Sequence, residues 1–255
     1  MRDNYYPANY YDLNNRKDNE VSIKSTLNII DEIYFKKYIA NIRPYGFKSL
    51  VLCVIDSVFS ISAVYSSTIR TLDDFVDHAG IKDKHKDEYT CEAFLNCYGN
   101  LSGEELANKV FRNRQRTSTV NGILKAQAVK EYIQTFFKNG INTTEDLLNL
   151  KDETPIKTQI QRIKGQGSGI TFHYVMMLAG DSNRYKRDRQ IDEFFQDILG
   201  YGKLTNDELT EAFHEQLKIV NERYPEIDNI RGLDSIIWGY MSERTAKQKQ
   251  IDKCK

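Results

Sequence analysis

The stretch from Ile163 to Phe195 reads "IKGQGSGITFHYVMMLAGDSNRYKRDRQIDEFF". Glycines stand at 165, 167 and 169. An apolar segment follows, and then Asp188 lies among Arg184, Lys186, Arg187 and Arg189. Ahead of the glycines, Ile160 and Ile163 belong to a short helix beginning near Pro155. Behind them, Ile170 to Leu178 reads as a second, buried helix. Two helices joined by a tight Gly-x-Gly turn make a helix-hairpin-helix. Glycine permits positive φ there and lets a phosphate approach the backbone. The free N–H groups at the start of the second helix then meet the anion. A plain helix–turn–helix corner is the competing reading; Lys164 in the turn and the basic surroundings favour the phosphate. Asp188 also fits a helix N-cap ahead of "RQIDEFFQDIL".

Outward from this stretch, helical spacing recurs and strand-like alternation is scarce. Val120, Leu124, Ala128 and Tyr132 mark one stripe, with Val129, Ile133 and Phe136 beside it. Leu209, Phe213, Leu217 and Val220 mark another. Thr205 with Glu208, and Ser102 with Glu105, have the spacing of capping boxes. "KSLVLCVIDSVFS" suits a buried strand or a buried helix, and the helical pattern that follows favours the helix. The expectation is an all-α chain of ten or more short helices, with no sheet, internal repeat or long linker.

Composition narrows the class. The chain has 255 residues, 40% hydrophobic and 28% charged, with zero formal net charge. That is enough for one large domain or two small lobes. No apolar run reaches the ~18 residues of a membrane span. Residues 1–20 read as a polar, Tyr-rich tail without the apolar centre of a signal peptide. Cys53, Cys91, Cys97 and Cys254 form no CxxC pair, which argues against zinc and iron–sulfur and for a cytoplasmic protein with reduced thiols. The charge is unevenly spread. From Lys109 to Lys138 there are seven basic residues and one acid, Glu131. A neutral chain so arranged can still present one positive face to nucleic acid; solvated helix faces are the plainer account.

The Gly-x-Gly turn, the apolar helix and the spacing to Asp188 resemble the helix-hairpin-helix DNA glycosylase superfamily, which includes endonuclease III and 8-oxoguanine glycosylase. Gly165 to Asp188 runs without a gap against the latter, and Asp188 falls on the family's essential aspartate. "VLCVIDSVFSISAVYSST" looks like the early helix–loop–helix of the family. "NGILKAQAVKEYIQTF" looks like its "KA" helix, at Lys125-Ala126. The resemblance covers roughly residues 45–200. Lys164 replaces the hairpin's usual proline, Val58 replaces the loop glutamine that fills the duplex gap, and Gly169 stands where bifunctional members carry a Schiff-base lysine.

The resemblance implies a two-lobed all-α fold with a cleft between the lobes. One lobe would span about 44–180. The other would join about 21–43, crossing over, to 181–255, within a single catalytic domain of residues 21–255. It implies a monofunctional glycosylase, with Asp188 supporting an oxocarbenium-like sugar and orienting water. The flipped base would enter a pocket walled by Tyr65, Phe172, Tyr174, Tyr185 and Trp238. DNA contacts would come from Lys164, Gly165, Gly167, Ser168, Gly169, Lys125 and Arg187, with Phe59 as apolar wedge. The hairpin carbonyls of Gln161, Ile163 and Gln166 would hold a structural Na+ or K+, with no iron–sulfur cluster. The partner would be double-stranded DNA with a modified base, met by a monomer away from any membrane. The chain loosely resembles a bacterial anti-phage branch that excises glucosylated hydroxymethylcytosine. A repair glycosylase for oxidised or alkylated bases, and a non-catalytic DNA-binding module in which Asp188 is only a cap, remain the alternatives. His173 reads as a core histidine.

Overall fold

The computed structural model describes residues 23–40 and 46–253, with side chains as far as Ala246. The Tyr-rich tail, both ends of the expected 21–43 crossover and Cys254 lie outside the described residues. Among the described residues there are helices and no strand; the one β-bridge joins Arg116 to Leu124. The helices are α1 (Thr26–Ile29), α2 (Glu32–Ala40), α3 (Leu50–Phe59), α4 (Tyr65–Ala79), α5 (Cys91–Tyr98), α6 (Gly103–Glu105), α7 (Lys125–Lys138), α8 (Thr144–Leu148), α9 (Thr154–Gln161), α10 (Ile170–Ala179), α11 (Arg189–Glu193), α12 (Asn206–Arg223) and α13 (Ile230–Lys253). Two single π-turns, Leu106–Val110 and Phe194–Ile198, extend α6 and α11. Among the described residues, no helix is long and apolar enough to cross a membrane.

The ambiguous "LVLCVIDSVF" run is helix α3, and all ten of its residues are buried. Ser49 caps it, its hydroxyl accepting from the Leu52 N–H. A helix apolar all round belongs in a core, and α3 is surrounded by α10, α7 and α4. Each buried Leu, Ile or Val contributes roughly 1.5–3 kcal/mol, so this helix anchors its surroundings. The capping boxes at Ser102–Glu105 and Thr205–Glu208 both form. The 120–136 stripe needs a correction. Helix α7 starts only at Lys125, and Val120 is 75% exposed in the preceding loop.

Buried side chains fall into two clusters. The first runs from Leu50 to Leu178. The second joins Ile30 and Phe35 to residues between Ile191 and Met241. The stacked rings of Phe35 and Tyr224 and the contacts of α1 with α12 and of α2 with α13 hold the early segment there.

Candidate functional site

Helix α9 ends at Gln161, and the chain turns through Gly165 and Gly169, whose φ values are 90° and 74°. Both lie in the left-handed region that favours glycine. Gly167 does not. A Cβ on Gly165 would sit 2.4 Å from Thr117 Cβ, so the hairpin rests directly on the 111–124 loop. A Cβ on Gly167 would meet only the Gln161 carbonyl oxygen, at 3.9 Å. Gly165→Ala is therefore expected to cost about 1–3 kcal/mol through strain and overpacking. Gly167→Leu should leave the melting temperature unchanged. Thermal melts of the two variants check this; equal losses would break the distinction.

The hairpin's carbonyls are partly engaged in the turn. Ile163 O accepts from Gln166 N–H, and Gln166 O accepts from Gly169 N–H. Gln166 is buried, and its Oε1 accepts from the Thr171 hydroxyl at 2.6 Å. The N-cap of α10 is Gly169, so no side chain caps this helix beyond a long 3.4 Å contact of Ile170 N–H with Ser168 Oγ. Its first N–H groups are open to an anion. Lys164 is exposed on the turn.

Asp188 is the N-cap of α11. Its Oδ1 accepts from the N–H groups of Gln190 (2.9 Å) and Ile191 (3.1 Å). Oδ2 has no hydrogen-bond partner among the described residues. Asp188 is half-buried and lines a cavity of about 880 Å³ together with Gly165, Ser168, Tyr65, Tyr174 and Trp238. Tyr65 and Trp238 meet edge to face at 5.6 Å, so the cavity wall joins α4 to α13. Several small hydroxyl residues line this wall, though the hydroxyls of Ser57, Ser60 and Thr171 donate to Thr171 O, Ser57 O and Gln166 Oε1.

The basic residues around Asp188 are mostly committed elsewhere. Arg184 pairs with Asp181 and Glu153. Arg187 pairs with Asp192 and donates to Leu204 O and Asn206 Oδ1, which occupies the group expected to reach DNA. Arg189 is exposed. Lys186 points into the cavity, with Nζ 2.9 Å from Ser60 Oγ and 4.0 Å from the centre of the Tyr174 ring. Burial pulls its pKa below the ordinary lysine value, while Asp56, Asp188 and Asp234 pull it back up.

Several expected site residues lie elsewhere. Phe59 is fully buried against Phe111, so it is core and not a wedge. Phe172 is fully buried in the first cluster and does not wall the pocket. Tyr185 stacks on Phe213 in the second cluster, its hydroxyl within reach of Thr210 Oγ1 and Asn206 O. Lys125 is buried and cannot contact DNA. Its Nζ donates to Phe59 O (2.9 Å), Ile61 O (2.7 Å) and Gln115 Oε1 (2.9 Å). His173 is only half-buried, between Lys157 and Arg184, and burial and these cations keep its pKa low. No residue of the 109–138 basic segment lines the Asp188 cavity.

Two acids behind the wall were not singled out from sequence. Asp56 lies in α3, its Oδ2 accepting from Tyr65 OH at 3.0 Å and its Oδ1 without a partner. Burial pushes its pKa up to about 6, against the pull of Tyr65 and Lys186. An aspartate inside an otherwise apolar run was the available signal. Asp234, on α13, accepts from the Lys186 N–H at 3.3 Å. Burial, and then the Asp188 charge, raise its pKa to about 8. A raised pKa means the fold keeps a proton that the unfolded chain has lost, so stability falls as pH rises from about 3.8 towards about 8. Asp234→Asn should gain in melting temperature over the parent chain, and the gain should be larger at pH 9 than at pH 5. An equal difference at both would show that Asp234 is not buried as described.

Residues 36–242 match the model of a family described as a domain of unknown function, DUF8548. No curated protein and no solved structure matches the chain. With most of its length inside that match, the chain belongs to the DUF8548 family.

Proposed function

We propose that the chain is a monofunctional DNA glycosylase that hydrolyses the N-glycosidic bond of a flipped, modified base and leaves an abasic site. The observation that carries this reading is the shared cavity. An aspartate with one oxygen fixed and the other free faces the same space as a glycine hairpin and three aromatic rings. In this reading the hairpin and the uncapped start of α10 hold a phosphate, and the nucleotide turns into the cavity. Tyr65, Tyr174 and Trp238 supply faces and edges for the base. As the glycosidic bond breaks, the sugar gains oxocarbenium character, and the Asp188 carboxylate stabilises it and orients the attacking water. The N–H donors on Oδ1 fix the carboxylate, so little reorganisation accompanies the step. Gly169 offers no amine for covalent attack, in keeping with hydrolysis.

The cavity's volume of about 880 Å³ suits a base enlarged by a sugar group better than a small oxidised base. We therefore favour glucosylated hydroxymethylcytosine in phage DNA, with antiviral defence as the setting, over a repair substrate. The test is incubation of the full chain with duplexes carrying glucosylated hydroxymethylcytosine, 8-oxoguanine, an alkylated purine or no modification, with the released base identified by mass spectrometry. Release from the glucosylated duplex alone is expected. Release from an oxidised or alkylated duplex alone would move the function to repair. DNA binding without any release would leave Asp188 as only a cap.

A further inference from the structure

The basic 109–138 segment is not used by the Asp188 cavity. Its Arg112–Gln115 part lies instead along a different face of α4. Ser67, Arg70, Thr71 and Asp74 recur at helical spacing there, and Arg112 to Gln115 run past them, enclosing a second groove of about 460 Å³. Its floor is tied across: Asn113 Nδ2 donates to Thr71 Oγ1 at 2.8 Å, and Gln115 Nε2 donates to Ser67 Oγ at 3.2 Å.

Three arginines, Arg70, Arg112 and Arg114, line this groove against one lining acid, Asp74. Arg112 lies 3.7 Å from Asp74 with its side chain 73% exposed, and Arg114 pairs with Glu104 outside the groove. Arg70 has no ion partner among the described residues. Exposed pairs of this kind are weak, so a phosphate can displace them and gain bidentate contacts. Arg112 also holds φ at 47°, left-handed for a residue with a Cβ. That conformation is strained for a residue with a Cβ, and strain of this kind collects at functional sites.

The two depressions adjoin. Val64, Tyr65 and Ser66 line the first, and Ser67 begins the second. Arg70 lies about 7.5 Å along the helix axis from Tyr65 and roughly 140° around it.

We propose that this groove is a second DNA contact, holding the sugar–phosphate backbone of the duplex whose base enters the Asp188 cavity. The proposal rests on the glycosylase reading. It is specific to phosphate and indifferent to base identity, because the groove offers guanidinium groups and no aromatic face.

The test compares the full chain with an R70Q/R112N/R114Q variant on an unmodified duplex, where no chemistry occurs. Asparagine is used at 112 because it tolerates left-handed backbone. The slope of log affinity against log salt should fall by about 2–3, from about 0.9 per lost phosphate contact. Affinity at low salt should fall at least tenfold. Single-turnover base release at saturating duplex should stay at the parent rate. R70Q alone, on the exposed face of α4, should lower the slope by about 1 and serves if the triple variant melts early. A folded variant with an unchanged slope overturns the groove. If the parent releases base while the variants keep their slope, only the groove fails. If the parent binds duplex with a slope that drops in the variants yet releases no base, only the glycosylase reading fails. A parent chain that binds no duplex defeats both.

Discussion

If the chain is the glycosylase proposed above, Asp188→Asn should abolish base release while leaving the fold and DNA binding in place. The substitution keeps an oxygen to accept from the N–H groups of Gln190 and Ile191, so the cap on α11 survives. It removes the charge that faces the developing oxocarbenium ion and the group that orients water. Loss of acid/base assistance alone is worth roughly 10²–10⁴-fold. Loss of the charge stabilisation adds to that, so single-turnover release should fall by at least about 10³-fold. Duplex affinity should hold or rise, since a negative charge beside phosphates disappears. With Gly169 in place of an amine, borohydride should trap no adduct with the parent chain, and strand scission should need added alkali. A variant that releases base at the parent rate removes Asp188 from catalysis. A strong trapped adduct points to Lys186 or Lys164 as a nucleophile and makes the enzyme bifunctional.

Lys125→Met should be among the most destabilising single changes in the chain. The Lys125 ammonium sits at the C-terminal end of α3, where the carbonyls of Phe59 and Ile61 converge with Gln115 Oε1. Burial, with Lys186 adding to it, lowers its pKa to about 8, yet three acceptors hold the amine in place. Methionine fills the space but strands those acceptors, each at a cost of about 1–3 kcal/mol. A total near 3–5 kcal/mol is expected against a typical stability of about 5–15 kcal/mol. That corresponds to a fall of roughly 10 °C or more in melting temperature. Base release should also weaken in the folded fraction, because the pinned 60–64 loop forms part of the cavity rim. A loss under about 1 kcal/mol in denaturant titration would show that the carbonyls find other donors.

The parts legible in the sequence are those set by short-range spacing. The hairpin's glycines, the limits of α9 and α10, the Asp188 cap and both capping boxes each depend on residues within a few positions of one another. The all-α class follows from the same periodicity. The remainder depended on distant partners. Lys125 looks like one more cation in a basic run, and only its juxtaposition with residues 59, 61 and 115 makes it internal. Arg184 looks available for phosphate until Glu153, 31 residues earlier, folds against it. Phe172 and Tyr185 have pocket-like chemistry, but α10 and α12 turn them into packing residues. Asp56 was the reverse case, an acid hidden within an apolar word, informative only once Tyr65 and Lys186 stand beside it.

The two hydrophobic clusters differ in how the chain reaches them. Every buried member of the first lies between Leu50 and Leu178, whereas the second needs Ile30 and Phe35 together with residues up to Met241. During vectorial synthesis the first cluster has all its parts well before the chain ends. Ile30 and Phe35 must wait, with their apolar faces unmatched, until α12 and α13 have emerged. Since Asp188 and Trp238 arrive with that late material, the cavity is assembled last. A ribosome that stops after Leu178 therefore leaves a product with one core complete and no cavity, so the cavity waits for Asp188 and Trp238 to emerge.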